Sequence, residues 1–192
     1  LWLTTCMIGA VPLLASSVEL SLADAFFESV SGITTTGSTV MSGLDDLPPG
    51  ILMWRSLLQW MGGLGVIAFG VFILPLLNIG GVSYFNIESS STDERPFERF
   101  STYAYSLLGI YGVLTGLCVI LYAAAGMTGF DAITHAMTTL STGGYSTHDT
   151  SLGYYAENTA VLWVAIAFMF VGALPFAVLI LFFVRGRLDA LT

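Results

Sequence analysis

The sequence predicts an all-α membrane protein made of repeated units, each with a transmembrane helix, a short re-entrant helix followed by a Thr/Gly-rich strand, and a second transmembrane helix. Of the 192 residues, 55% are hydrophobic and only 9% are charged, and the mean hydropathy of +0.83 is far above that of a soluble domain. Several apolar stretches reach the roughly 20 residues that cross a hydrocarbon core of about 30 Å. Two Thr/Gly-rich segments recur at a fixed separation, which indicates an internal repeat.

Four apolar stretches are predicted to be transmembrane helices. Residues 51–78, 101–125 and 159–184 are each long enough for a full span, and the last two contain no charged side chain. Residues 1–20 begin without a Met or a basic flank, so they resemble the truncated end of a helix rather than a cleaved signal peptide. We therefore expect the chain to be a fragment of a longer protein.

The composition argues against several classes of function. Cys6 and Cys118 lie inside apolar stretches, where neither a disulfide framework nor a transition-metal site is indicated. No glycine-rich phosphate loop, GxSxG elbow or HExxH motif occurs, so we expect neither an enzyme nor a bound cofactor. The chain has no Lys and no basic cluster, which argues against a nucleic-acid partner. Membrane lipid is the expected surrounding.

Two connections between the apolar stretches differ from ordinary loops. Residues 22–40 and 130–147 each continue from an Asp as a short apolar helix and end in Thr, Ser and Gly, as expected of re-entrant segments. They match without gaps at an offset of 107 residues, which pairs Asp24 with Asp131, Ala25 with Ala132, Ile33 with Leu140, Thr35 with Thr142, and Gly37 with Gly144. We therefore predict a first repeat at residues 1–85 with its first helix truncated, a cytoplasmic loop at 86–100, and a second repeat at 101–192.

The charges orient these repeats in the membrane. A re-entrant loop returns to the side it left, so one side holds Arg95, Arg99, Arg185 and Arg187, and the positive-inside rule makes that side cytoplasmic. The outer side holds Arg55 and eight acidic residues, namely Glu19, Asp24, Glu28, Asp45, Asp46, Asp131, Asp149 and Glu157. Such an acidic mouth would concentrate cations at an entrance, or the acidic residues simply solvate the outer loops.

The Thr/Gly-rich segments are predicted to line a cation pathway. Irregular backbone at membrane depth is tolerated only where protein buries it or where it lines a water-filled cavity, and rings of backbone carbonyls can replace the hydration shell of an ion. Glycine permits the backbone angles that align successive carbonyls, and the carbonyl ends of the short helices favour a cation. The candidate filter residues are Thr35, Thr36, Gly37, Ser38, Thr142, Gly143, Gly144 and Tyr145. Asp24, Glu28 and Asp131 of the short helices are the candidate supporting residues, and the two Asp are expected to cap free amides.

Three segments resemble one known family. They are residues 23–40 (ADAFFESVSGITTTGSTV), 47–66 (LPPGILMWRSLLQWMGGLGV) and 130–149 (FDAITHAMTTLSTGGYSTHD), which are similar to the first and second pore regions of the Trk branch of the Trk/Ktr/HKT superfamily. The resemblance implies a plasma-membrane subunit, in bacteria an inner-membrane one, with four M1–P–M2 repeats around one pore. It further implies K⁺ uptake, a homodimer, a cytoplasmic nucleotide-binding regulatory subunit, and filter roles for Thr36, Gly37, Gly143 and Gly144.

Two departures from the family pattern leave alternatives open. Only two repeats are present, so two further repeats are expected in the rest of the same chain. Ser38 stands where the second repeat has Tyr145, which makes the filter less regular than the TVGYG loops of potassium channels. A Na⁺-permeable or Na⁺-coupled transporter of the same superfamily is therefore the alternative function. An intramembrane enzyme that uses scattered Ser residues with His135 is a distant third, since no paired catalytic motif frames them.

Four ionisable side chains need a separate interpretation. Glu28 is either a functional group at membrane depth or a hydrogen-bond partner behind the filter. Arg55 is expected to pair with a loop acid rather than to repel cations from a wrong route. His135 occupies the position equivalent to Glu28, and His148 lies in an outer loop, where no further ligand cluster favours a metal.

The glycines define the register of the repeat. The ungapped offset makes Gly144, rather than Gly143, the counterpart of Gly37, because a one-residue gap in the short helix would rotate its face by about 100°. Gly143 is then a flanking contributor. Residues 61–65 (MGGLG) predict close helix packing through small residues rather than a hinge.

Overall fold

The structure, a computed structural model, describes residues 2–76 and 96–174, with side chains for residues 2–68 and 104–174. This part of the chain is helical and contains no β-strand. Its helices are α1 (Trp2–Leu14), α2 (Leu22–Ile33), α3 (Pro49–Leu76), α4 (Pro96–Ala124), α5 (Gly129–Leu140) and α6 (Thr159–Ala173), and short 3-10 turns lie at Leu44–Asp46 and Ser151–Tyr155. The predicted all-α fold class is confirmed over these residues.

Two of the described helices are long and apolar enough to cross a membrane, by their segments Pro49–Ala68 and Ala104–Ala124. α1 and α6 are apolar but shorter, with 13 and 15 residues. The predicted spans at 51–78 and 159–184 extend beyond the described residues. Of the predicted loop at 86–100, residues 86–95 also lie outside them, and Pro96–Phe100 is already part of α4. A Pro is well suited to a first helical turn, where its missing N–H needs no partner.

The short helices α2 and α5 begin and end at positions that the predicted repeat makes equivalent. Each has 12 residues, and both their first and last residues are related by the offset of 107. The residues before them, Ser21 and Thr128, each accept a hydrogen bond from a backbone N–H in the first turn. This is the usual role of Ser and Thr at a helix start.

The capping role predicted for the two Asp is therefore only partly right. Asp24 completes a capping box, because its Oδ2 accepts the backbone N–H of Ser21 at 3.3 Å. Asp131 caps no amide. Its carboxylate accepts hydroxyl groups from Thr128, Thr147 and Tyr155, at 2.7, 2.6 and 2.9 Å. The sequence predicted an Asp at the start of each short helix. It did not show that in α5 the hydroxyl of Thr128, rather than the carboxylate of Asp131, accepts the free backbone N–H.

The chain divides into two compact units, Leu1–Gly63 with Leu114–Ala173, and Leu64–Val113 with Leu174–Thr192. The first unit contains both short helices and both Thr/Gly-rich segments. There, a β-carbon on Gly62 would overlap the carbonyl oxygen of Ile33 where α2 ends, and one on Gly172 would overlap that of Leu140 where α5 ends. Close packing is thus confirmed at Gly62, within the predicted stretch 61–65, and the two contacts align α3 with α6 at an offset of 110.

Candidate functional site

The two Thr/Gly-rich segments have the same backbone conformation. Thr35 and Thr142 both have a φ of 55°, and Gly37 and Gly144 have φ values of 77° and 81°. These left-handed conformations are disfavoured for residues with a side chain. Since the unusual angles coincide at the offset of 107, the predicted pairing of Gly37 with Gly144 is confirmed as the register of the repeat.

Hydrogen bonds fold each segment back onto the end of its short helix. In the first repeat the N–H groups of Thr36 and Gly37 donate to the carbonyl of Ser31, at 2.9 and 3.5 Å. The corresponding groups of Gly143 and Gly144 donate to Thr138 at 2.9 and 3.4 Å. These bonds satisfy carbonyls that a helix end otherwise leaves free, so the conformation is built into the junction of helix and segment.

The segments approach each other closely at two glycines. A β-carbon on Gly37 would overlap the carbonyl oxygen of Gly143, and one on Gly143 would overlap the side-chain amide of Gln59. A β-carbon on Gly144 would meet nothing within 4 Å. Gly37 is therefore constrained by both its angle and its neighbour, whereas Gly144 is constrained by its angle alone.

Glu28 lies behind the first segment, where it is fully buried. Its Oε1 accepts hydrogen bonds from the hydroxyl of Thr39 and from the N–H groups of Val40 and Met41, the latter two at 2.7 and 3.3 Å. Its Oε2 pairs with Arg55 at 3.3 Å. A buried carboxylate needs such partners. The hydrogen-bonding interpretation of Glu28 matches this geometry.

Arg55 connects the two segments. Its side chain, 1% exposed, donates to Thr39 Oγ1 at 3.0 Å and to the carbonyl of Ser146 at 3.3 Å. Its guanidinium carbon lies 4.2 Å from the centroid of the Tyr145 ring, in cation–π contact. The predicted pairing of Arg55 with an acid is correct, but the partner is Glu28 of α2 rather than a loop acid.

The Tyr145 side chain fills the space behind the first segment. It is 3% exposed, and its hydroxyl is directed at the carbonyl oxygens of Glu28 and Ser38, at 2.9 and 3.3 Å. Ser31 donates to the same carbonyl of Ser38 at 2.6 Å. The carbonyl of Ser38 is thus turned toward protein hydroxyls. The Tyr145 side chain therefore contacts the backbone of Ser38, the residue at the equivalent position of the first repeat.

His135 holds the second segment as Glu28 holds the first. It is 2% exposed, and its Nε2 lies 2.9 Å from the hydroxyl of Ser146, the residue equivalent to Thr39. Its Nδ1 lies 2.9 Å from the carbonyl of Asp131. The structure therefore gives this residue a hydrogen-bonding role at the position predicted by the repeat.

His148 joins the loops that follow the two segments. Its Nδ1 is 2.5 Å from Asp45 Oδ1, its Nε2 is 3.7 Å from Asp131 Oδ2, and its ring stacks on Tyr154 at 3.7 Å. The hydrogen bond from His148 lowers the pKa of Asp45.

Asp149 also links the two loops. Its carboxylate accepts the N–H of Leu44 at 3.1 Å, and its own backbone N–H donates to the carboxylate of Asp45 at 3.2 Å. Within the described ranges, no cluster of three His, Cys, Asp or Glu side chains could hold a metal ion.

Sequence reasoning missed Gln59. Its side chain is fully buried, and its Oε1 accepts the N–H of Tyr145 at 3.0 Å. An available signal was its place in an apolar stretch one helical turn after Arg55, since polar residues within membrane helices are costly and face the protein interior.

Comparison with known proteins identifies relatives along almost the whole chain. Residues 1–190 match the TrkH family, described as a cation transport protein. The Trk system potassium uptake protein TrkI of Halomonas elongata is 44% identical over 190 residues, which are 99% of this chain and 38% of that protein. The protein TrkH of Escherichia coli, of the same description, is 42% identical over 174 residues, which are 89% of this chain and 36% of that protein. The chain thus spans well under half the length of these relatives.

A solved structure has the same fold. The crystal structure of the potassium transporter TrkH from Vibrio parahaemolyticus matches with a TM-score of 0.84 and 41% sequence identity, over 96% of this chain and 36% of that one. The repeated arrangement of helices and re-entrant segments is consistent with that fold. Since the family match and the structural match both extend over almost all of its residues, this chain belongs to the TrkH family of cation transport proteins.

Proposed function

We propose that the protein containing this chain takes up K⁺ across the plasma membrane, and that residues 35–38 and 142–145 form two parts of its selectivity filter. The observation that carries this proposal is the pair of segments with matching left-handed residues, each folded onto the end of a short helix. Relatives from Halomonas elongata and Escherichia coli are named potassium uptake proteins. No catalytic role is needed to account for these residues.

The filter contributions are not equal among the eight candidate residues. Backbone carbonyls of Thr35, Thr36 and Gly37, and of Thr142, Gly143 and Gly144, are the proposed ligands for K⁺, since carbonyls arranged in rings replace water around the ion. Ser38 and Tyr145 are proposed to act as supports. The Ser38 carbonyl accepts hydroxyl hydrogen bonds, and the Tyr145 side chain is buried.

We further propose that two more repeats in the same chain complete the pathway. Thr34, Thr36 and Ser38 of the first segment are exposed in the described structure, which leaves a polar face for another segment to cover. A homodimer, a cytoplasmic nucleotide-binding regulatory subunit and the bacterial inner membrane remain proposals that rest on the family resemblance. The acidic residues of the outer loops are proposed to attract cations to the entrance.

Uptake measurements with the full-length protein test the proposal. Expressed in bacteria that lack their own K⁺ uptake, it is expected to restore growth at low K⁺ and to take up K⁺ and Rb⁺ in preference to Na⁺. Equal uptake of Na⁺ and K⁺ would instead establish the Na⁺-permeable alternative. Absence of any cation uptake from a correctly inserted protein would refute the transport function itself.

The 192-residue chain alone is expected not to conduct, because two segments supply only part of a ring of carbonyls and leave polar backbone uncovered. The measurement is cation flux into liposomes that contain the purified chain, with the full-length protein as the positive control. Selective flux through the short chain would show that two segments suffice.

A further inference from the structure

We propose that Gln59 of α3 is a positioning residue for the second filter segment, and that its side-chain oxygen fixes the direction of the Gly144 carbonyl. This inference rests on the proposed filter function and extends it to a residue outside the Thr/Gly-rich segments. Three features carry it, namely one hydrogen bond, the packing around the side chain and the absence of an equivalent residue on α6.

The hydrogen bond acts on a whole peptide unit. Gln59 Oε1 accepts the N–H of Tyr145 at 3.0 Å, and that N–H belongs to the same planar unit as the carbonyl of Gly144. In a trans peptide the N–H and the C=O point in opposite directions. Holding the N–H toward α3 therefore directs the Gly144 carbonyl away from α3. Gly144 itself is exposed, as expected of a residue that faces an ion pathway.

Packing makes this contact specific for the present side chain. The amide of Gln59 lies so close to Gly143 that a β-carbon there would overlap it, and its Nε2 lies 3.6 Å from the β-carbon position of Gly37. The side chain thus packs against the second segment and lies close to the first, at the point where they approach each other. Arg55, one turn earlier on the same helix face, donates to the carbonyl of Ser146, two residues further along the chain than that of Gly144.

The balance of hydrogen bonds explains why a neutral acceptor is needed at this site. Gln59 is fully buried, and among the described residues its Oε1 has a hydrogen-bond partner whereas its Nε2 has none. An apolar side chain of similar size would leave the N–H of Tyr145 unpaired. A carboxylate would keep the acceptor but would bury a charge. The glutamine is therefore explained by its oxygen.

The equivalent helix of the second repeat offers no such acceptor. The contacts of Gly62 and Gly172 align α3 with α6 at an offset of 110, so the counterpart of Gln59 is Met169, which is 41% exposed. The acceptor for the second segment belongs to the first repeat, as the hydrogen bond from Tyr145 to Gln59 shows. The hydrogen bond between Gln59 and Tyr145 therefore links the two repeats directly after Gly144, the proposed ligand.

The decisive comparison is between Gln59→Met and wild type in the full-length protein. The variant keeps the side-chain volume but has no oxygen, so the Gly144 peptide is free to rotate. We expect the ratio of K⁺ to Na⁺ uptake to fall by about five- to tenfold, as for the loss of one buried hydrogen bond, at unchanged membrane abundance. Gln59→Glu keeps an oxygen within reach of the N–H and should retain more selectivity than Gln59→Met.

Ser56→Ala is the matched control. Ser56 is a buried polar residue of the same helix, and its hydroxyl donates to the carbonyl of Leu52 within that helix, at 3.0 Å, so this change should leave the K⁺ to Na⁺ ratio as in wild type. An equal loss of selectivity in Ser56→Ala would show that α3 acts only as a general scaffold. If Gln59→Met does not reach the membrane, Gln59→Asn replaces it, since it withdraws the amide by one methylene group and should also lower the ratio.

The outcomes separate this inference from the function on which it rests. A wild-type protein without K⁺ preference would overturn the proposed filter function. A selective wild type together with an equally selective Gln59→Met, or with an equally selective Gln59→Asn, would overturn the role of Gln59 and leave the filter function standing.

Discussion

The two Thr/Gly-rich segments have the same backbone but different supporting side chains. Behind the first, a carboxylate and a guanidinium form a buried ion pair between Glu28 and Arg55. Behind the second, the imidazole of His135 bonds to the hydroxyl of Ser146. The left-handed residues coincide in spite of this difference. The comparison indicates that the Thr/Gly pattern and the helix end set the conformation, while two different hydrogen-bonded polar groups hold it in place.

The largest effect is expected from breaking the ion pair. Arg55→Met should destabilise the protein by about 3–5 kcal/mol, because Glu28 would remain as an unpaired buried charge. His135→Leu should cost only about 1–3 kcal/mol, since it removes one neutral partner of the Ser146 hydroxyl, whose oxygen still accepts the N–H of His148. Thermal unfolding of the purified full-length variants measures both changes.

A double variant tests the reason for that difference. Glu28→Gln combined with Arg55→Met removes both charges, so it should be more stable than Arg55→Met alone. If Arg55→Met proves no less stable than His135→Leu, the ion pair is not what distinguishes the first support from the second.

A second comparison concerns the paired glycines. Gly37→Ala should lower the ratio of K⁺ to Na⁺ uptake more than Gly144→Ala, because it adds an overlap with the Gly143 carbonyl to a backbone strain of about 1–3 kcal/mol that both share. Gly143→Ala should also lower the ratio, since its methyl group would displace Gln59. Isotope uptake at matched expression measures the three variants. A larger loss in Gly144→Ala than in Gly37→Ala would contradict the packing argument.

The acidic residues at the helix starts provide a third comparison. Asp131→Asn should destabilise the protein by about 1.5–3 kcal/mol, because its carboxylate accepts three hydroxyl groups in a charge-assisted network. Asp24→Asn should cost about 1 kcal/mol or less, as for a solvent-exposed helix cap. Unfolding temperatures of the two variants decide the order, and equal losses would mean that the extra hydroxyl partners of Asp131 add nothing.

The smallest effect is expected from the outer link between Asp45 and His148. A carboxyl group whose pKa is lowered in the folded state contributes stability above its ordinary value near 3.8, and this contribution is lost as the pH falls through the lowered pKa. The unfolding temperature of wild type should therefore fall more steeply below about pH 4 than that of Asp45→Asn. Parallel curves for the two proteins would show that this link does not contribute to stability.

Local pattern was enough to predict much of the fold. The offset of 107 located both short helices and their left-handed glycines, because helix ends and glycine turns depend on residues that are close in sequence. The positions of Glu28 and His135 behind the segments followed from the same register. Close packing at Gly62 was likewise predicted from a run of small residues.

The partners of the polar side chains could not be predicted in this way. Arg55 was expected to meet a loop acid, yet it pairs with Glu28 and also reaches Ser146, 91 residues along the chain. Gln59 was not assigned a role, since its partner Tyr145 is 86 residues away. Such contacts depend on how two repeats pack together, and residues that are neighbours in the sequence carry no signal for that packing.

The distance along the chain between Gln59 and Tyr145 has a consequence for synthesis. Arg55 can pair with Glu28 as soon as α3 has been made, because Glu28 precedes it by 27 residues. Gln59 must wait until the ribosome has added a further 86 residues, which takes roughly 4–17 s at 5–20 residues per second. During that interval the side-chain oxygen of Gln59 lacks the hydrogen bond that it later accepts from the N–H of Tyr145. A chaperone or insertase that shields α3 from lipid would therefore be most useful before the second re-entrant segment emerges.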